Sequence, residues 1–159
     1  MMGHDISTLN SLISTTLDSC DGYRRAAEEC ENQTHRSLFL DFAGERERVV
    51  RDLQAQVQAL GGEPEDDGTI LAAAHRAFLS LRDAISSRDD AAVVAEVERG
   101  EDHIKAKYEA ALDGRLDPTV EDVVRRAYQS VRAGHDRMSA LKHQMQGDTM
   151  TAGQTTTGY

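Results

Sequence analysis

Apolar residues recur along this chain at spacings of three and four, the signature of amphipathic helices, and they do so in five stretches. The first runs from about Ile6 to Glu31, with Asp5 as the expected N-cap. Its stripe of Leu9, Ile13, Thr16, Cys20, Tyr23, Ala27 and Cys30 repeats every seven residues, as a bundle seam does. A short turn at Asn32-Gln33-Thr34 leads to a second helix from about His35 to Leu60. Leu38, Phe42, Glu45, Val49, Leu53, Val57 and Leu60 are read as its inward side, and Gly61-Gly62 as its stop. A third main helix is expected over Ala91 to Leu112, with Val94, Val97, Glu101, Ile104, Tyr108 and Leu112 inward. Asp117-Pro118 then starts a fourth, since proline suits the first turn and aspartate caps it. That helix reaches about Met145, with Val120, Val124, Val131, His135, Met138, Leu141 and Met145 inward.

Between the second and third of these helices lies an acidic loop, Glu63 to Gly68. A further amphipathic stretch follows, about Thr69 to Ser86, with Leu71, Ala74, Phe78, Leu81 and Ile85 on one face; Asp89 is a possible cap for the next helix. A short turn between long helices makes antiparallel neighbours, and a long connection lets the third helix start at the far end of the bundle. The expected fold is therefore all-α: an antiparallel four-helix bundle with an additional amphipathic helix in the crossover. Residues 1–146 form the bundle, and residues 147–159, which have almost nothing to bury, form a disordered tail.

Three of the inward stripes are broken by a titratable residue: Glu45, Glu101 and His135. A polar group on a core-facing stripe is costly unless a cation, a hydrogen-bond network or a metal pairs with it. The alternative sets Glu45 and Glu101 at stripe edges with their carboxylates in water, and makes His135 a hydrogen-bonded core histidine. Counted from the third-to-fourth loop, His135 lies about five residues deeper than Glu101, roughly 7 Å along the axis.

Composition narrows the function classes. With 159 residues, 39% hydrophobic and 29% charged, the chain suits one water-soluble domain. Its net charge of −10 at pH 7 disfavours nucleic acid and anionic membrane surfaces as partners. Apolar runs are too short for a transmembrane helix, and the N-terminus lacks a basic region followed by an apolar one, so a cytoplasmic protein is expected. Cys20 and Cys30 fall on one helix about 15 Å apart, too far for a disulfide, and read as small core residues. There is no phosphate-binding glycine loop and no Ser/His/Asp or Cys/His arrangement that the spacing supports.

Several segments together resemble a bacterial family of uncharacterised ferritin-like four-helix-bundle proteins. They are Leu9-Asn10-Ser11-Leu12-Ile13, Gly22-Tyr23-Arg24-Arg25-Ala26-Ala27, Leu60-Gly61-Gly62-Glu63-Pro64, Arg99-Gly100-Glu101-Asp102 and Gly134-His135-Asp136-Arg137. The resemblance spans about Ile6 to Leu141 and implies a ferritin-like fold without an assigned activity. In the wider superfamily two helices supply one Glu each and two supply Glu-x-x-His. Set against that pattern, Glu45, Glu101 and His135 hold ligand positions. Arg48 and Arg132 stand where a histidine and a glutamate belong, and Thr16 stands at the first helix's position.

A guanidinium stays protonated and repels a metal cation at close range. The expectation is therefore a core ion-pair network of Glu45, Arg48, Glu98, Glu101, Arg132 and His135, with arginine as counter-charge in place of metal and no cofactor. The function expected is non-enzymatic, a stress-associated binding or assembly module with a degenerate metal site, with a homo-oligomer as the expected assembly. The alternative is an iron- or manganese-binding metalloprotein, with oxidase or storage chemistry, whose ligands are Glu45, Glu101 and His135.

Overall fold

A computed structural model of the chain describes residues 2–66 and 90–157. Four α-helices account for nearly all of them: α1 (Met2–Glu29), α2 (Gln33–Ala59), α3 (Asp90–Asp113) and α4 (Pro118–Thr157); among the described residues there is no strand. The amphipathic stretch expected over Thr69 to Ser86 lies outside the described residues, as does Asp89. Helix α4 continues beyond Met145 to Thr157, across the segment in which the sequence offers no inward stripe.

Helix α1 packs on α2 and α3, and α4 packs on α3 and α2. The directions follow from contacts at the ends. The carboxylate of Asp90, first residue of α3, accepts the backbone N–H groups of Glu31 (3.2 Å) and Asn32 (3.1 Å) in the turn between α1 and α2. At the opposite end Asp5, near the start of α1, accepts the N–H of Asp117 at the start of α4 (3.3 Å). So α1 and α4 begin at one end, α2 and α3 at the other, and each packed pair is antiparallel. The chain leaves α2 at one end of the bundle and enters α3 at the other.

The helix ends are satisfied as the orphan groups of a terminus require. Asn32 caps α2, its side chain accepting from His35 N (3.1 Å), and Arg36 Nε donates to the carbonyl of Cys30 (2.5 Å). Asp117 caps α4 through Thr119 N (3.0 Å). Asp5 does not cap its own helix, which starts earlier, at Met2; it is buried and tethers α4 instead. Helix α2 stops in a Schellman turn: Gly61 N donates to Gln58 O (2.9 Å), Gly62 N to Val57 O (3.0 Å), and Gly61 takes φ 81°. Asn10 on α1 then holds the following segment, donating to Glu63 O (3.0 Å) and accepting from Glu65 N (2.8 Å).

The buried side chains fall into two apolar clusters. One, toward the start of α1, includes Leu9, Ile13, Val50, Leu53, Ile104, Tyr108, Val124 and Val131. The other, toward the α1–α2 turn, includes Tyr23, Phe39, Ala43, Val94, Met138 and Leu141. Two stripes differ from expectation in the middle of the bundle. On α2 the buried positions are Phe39, Ala43, Arg46, Val50, Leu53 and Val57, joined by Val49; this is an uninterrupted four–three alternation that turns Arg46 inward in place of Glu45. On α4 the alternation runs Val120, Val124, Ala127, Val131, Gly134, Met138, Leu141, with Gly134 inward in place of His135. A strict heptad seam faces its neighbours along the whole bundle, and these residues obey it.

Gly61 needs the left-handed backbone that costs an L-residue about 1–2 kcal/mol, so Gly61→Ala is expected to lower unfolding stability by about 1 kcal/mol. Urea denaturation of the two proteins checks this.

Candidate functional site

Between the apolar clusters lies a polar layer built from all four helices. Arg46 on α2 is wholly buried, and its Nη2 donates to Glu101 Oε2 on α3 at 2.6 Å; Glu101 is 2% exposed. The second guanidinium nitrogen, Nη1, donates to Ser19 Oγ on α1 (2.8 Å). The guanidinium carbon lies 5.5 Å from the ring centroid of Tyr23, a cation–π contact, and Tyr23 stacks on Phe42 (5.5 Å between centroids). Helix α4 contributes by omission: a Cβ at Gly134 would lie 2.5 Å from Arg46 Nη2 and 3.2 Å from Glu101 Oε2. Glycine is the side chain that leaves room there for the ion pair.

One turn farther along α1, Thr16 Oγ1 donates to the carbonyl of Leu12 (2.6 Å) and sits 2.8 Å from Tyr108 Oη. Burial pushes the Tyr108 phenol up to about 12, against the hydrogen bond shared with Thr16 and the charge of Arg46. Tyr23 is raised well above 10 by burial and by the nearby Glu101 carboxylate, and among the described residues its hydroxyl meets no group in good hydrogen-bond geometry. Burial alone would lower the Arg46 pKa, but Glu101 and the two tyrosines more than offset this and raise it. The layer therefore holds one cation, one anion and two neutral phenols.

The residues expected to share one network are instead distributed over core and surface. Glu101 is in the core, but its partner is Arg46, not Arg48 or Arg132. Glu45 is 42% exposed, accepts from Ser130 Oγ (3.0 Å) and pairs with Arg48 (3.0 Å), which is itself 65% exposed. Arg132 is exposed. The physical reason is the seam: with Arg46 inward, residues 45 and 48 rotate to the flanks of α2, and with Gly134 inward, Arg132 and His135 rotate to those of α4. The Glu101 carboxylate reaches the position of Gly134, the residue before His135.

His135 lies between α3 and α4 near the surface. Its Nε2 is 2.6 Å from Asp102 and its Nδ1 3.3 Å from Asp136. Glu98, half-buried beside it, pairs with Lys142 (3.3 Å). Glu98, Asp102 and His135 bring potential metal-ligand atoms within 4.8 Å of one another, and Cys30, His35 and Asp90 form a second such group. Among the described residues neither group contains Glu45 or Glu101. The donor set implied by the ferritin-like pattern, four carboxylates and two imidazoles facing one another, does not fit this core. Glu101 is its one buried glutamate among the described residues, and a fixed guanidinium faces it. Both cysteines are free and buried; burial raises Cys20 to about 11 and, aided by the Asp90 charge, Cys30 to about 12.

Residues 4–114 match the family model described as a domain of unknown function (DUF2383), a span covering α1, α2 and nearly all the residues through the end of α3. The chain belongs to this family. Arg46 and Glu101 lie within the matched span, whereas Gly134 and His135 lie on α4 beyond it. A comparison with curated proteins found no match.

Arg46 and Gly134 escaped the sequence reading for opposite reasons. Arginine is seldom buried unless paired, and glycine has no side chain to mark a face. The signal was the spacing itself. Phe39, Ala43, Arg46, Val50, Leu53 and Val57 alternate four and three without a break, whereas the stripe through Glu45 needs three consecutive fours between Glu45 and Val57.

Arg46→Ala strands Glu101 in the core and is expected to cost about 3–5 kcal/mol in urea denaturation. Arg48→Ala is expected to fall within about 0.5 kcal/mol of the parent. Arg46→Met combined with Glu101→Leu should recover most of the loss, since neither charge is then left bare. Gly134→Ala should destabilise the parent although alanine is the better helix former by about 1 kcal/mol, and should be neutral or stabilising once Arg46 is alanine.

Partial burial lowers the His135 pKa, but the hydrogen bonds to Asp102 and Asp136 outweigh it and the net shift is upward from 6.5. The imidazolium thus contributes stability that is complete below about pH 6.5 and is lost as pH rises through the folded pKa. An NMR titration should place His135 above 6.5, and Asp102→Asn should lower it and flatten that part of the stability profile.

Proposed function

We propose that this chain is a ferritin-like bundle in which a guanidinium has taken over the place of a bound cation, and that it acts as a non-enzymatic binding or assembly module. The observation that carries the reading is the Arg46–Glu101 pair at 2.6 Å, seated in the notch of Gly134. The topology supports the ferritin-like part: antiparallel neighbours throughout, with the second and third helices beginning at the same end. The buried pair supports the non-enzymatic part. Glu101 is shielded from solvent and occupied by arginine, so it is not free to accept a substrate proton or hold a metal.

No helix among the described residues is long and apolar enough to cross a membrane, in keeping with a protein working in an aqueous compartment; we place it in the cytoplasm. The high negative charge of −10 opposes nucleic-acid and anionic lipid partners, which leaves protein surfaces, further copies of the chain among them, as the partners of such a module.

Protein produced with excess iron or manganese is expected to carry no stoichiometric metal that depends on Glu101. Near-stoichiometric iron that disappears in Glu101→Gln, measured by elemental analysis, would overturn the reading. Light scattering across a concentration series tests the assembly; a strict monomer at high concentration removes it.

A further inference from the structure

We propose that Cys30, His35 and Asp90 form a zinc-class metal site at the end of the bundle where α1, α2 and α3 meet, distinct from the polar layer in the core. One sulfur, one imidazole nitrogen and one carboxylate oxygen lie there within 4.8 Å of one another. This mixed donor set suits Zn²⁺, which takes Cys, His and Asp in tetrahedral sites and leaves a fourth position to water when the protein supplies three.

The donors come from three elements, and each is held by contacts of its own. Cys30 ends α1 and is fully buried, with Arg36 Nε gripping its carbonyl at 2.5 Å. His35 sits in the first turn of α2, its backbone N–H bonded to the Asn32 cap and its ring packed at a tilt against Phe39 (6.5 Å between centroids). Asp90 opens α3, and its two oxygens accept the N–H groups of Glu31 and Asn32. Each oxygen keeps a second lone pair for an ion, and hydrogen bonds of this kind orient a ligating carboxylate.

The His35 ring supplies the independent sign. Among the described residues its Nδ1, a buried atom, has no hydrogen-bond partner, and it lies 3.7 Å from Asp90 Oδ2. That separation is too long for a hydrogen bond. It is close to the edge of a tetrahedral site, roughly 3.4 Å for metal–donor bonds of about 2.1 Å. A buried polar atom left unpaired calls for an explanation, and an ion shared with Asp90 and Cys30 provides one. A cleft of about 690 Å³, lined by Asn32, Thr34, His35, Asp41 and Arg137 among others, borders the histidine. On binding, the Cys30 thiol gives its proton to solvent and the sulfur lone pair forms the bond to the metal.

Co²⁺ added to the reduced full-length protein tests this, because a thiolate bound to Co²⁺ gives a charge-transfer band in the near ultraviolet and a tetrahedral ion gives intense visible bands. One equivalent is expected to produce both, and Zn²⁺ to abolish them. Cys20→Ser should keep the charge-transfer band, which then belongs to Cys30, the remaining thiol of the two in the chain. Cys30→Ser should lose it, and His35→Ala should weaken binding by about tenfold or more. A parent protein without the band in excess Co²⁺, or a band lost in Cys20→Ser, overturns the proposal. The first of these needs no variant to fold.

Discussion

The arrangement of this bundle turns on one buried ion pair. Arg46 and Glu101 meet at 2.6 Å with essentially no exposure to water. Withdrawing two charges from solvent costs several kcal/mol per ion, and their attraction repays it only with close geometry and further hydrogen bonds. Here the geometry is close, Ser19 accepts the second guanidinium nitrogen, and the face of Tyr23 lies alongside. A pair of this kind adds little net stability over a well-packed apolar core. It is demanding about register, because sliding α2 or α3 by one residue would leave both charges bare in the core.

The rest of the middle layer accommodates that demand. Gly134 gives up a side chain so that the pair can fit, and Cys20, one turn from Tyr23, presents a small side chain whose Sγ lies 3.6 Å from the carbonyl of Ala43. The layer separates two apolar clusters and is joined to each by a tyrosine, Tyr108 of one and Tyr23 of the other. The ends are fastened by polar side chains reaching across helices: Asp5 to the start of α4, Asp90 to the α1–α2 turn, and Asn10 to the segment after α2. These long-range bonds fix the relative directions of the helices, while the ion pair fixes their depth.

Functionally, the same geometry divides the molecule into zones. The core carboxylate that a metal-binding bundle would use is tied to arginine. Among the described residues, the titratable groups able to meet an ion lie elsewhere: at the α3–α4 flank, where Asp102 and Asp136 already occupy both nitrogens of His135, and at the three-helix junction, where one nitrogen of His35 has no hydrogen-bond partner. Among the described residues, the donor groups that could meet an ion thus lie at the margins of the bundle, where the helices end or meet solvent.

Much of the architecture was legible in the sequence. Heptad spacing marked α1 and the second half of α2, Gly61-Gly62 marked a helix stop, and Asp117-Pro118 a start, because these signals act within a few residues of chain. Residue chemistry pointed to a guanidinium against a core carboxylate but left a metal or a solvated stripe edge as alternatives. It did not choose which guanidinium. Glu45, Arg46 and Arg48 lie within one turn, and rotating α2 by a single residue exchanges the one that is buried. Only packing against the other helices chooses that rotation, together with a glycine on α4 whose importance is the space it leaves. The convergence of Cys30, His35 and Asp90 was equally hidden, because it depends on α3 beginning beside a turn about sixty residues earlier in the chain. Local spacing determines which face of a helix is apolar; which polar groups face one another is decided when the helices assemble.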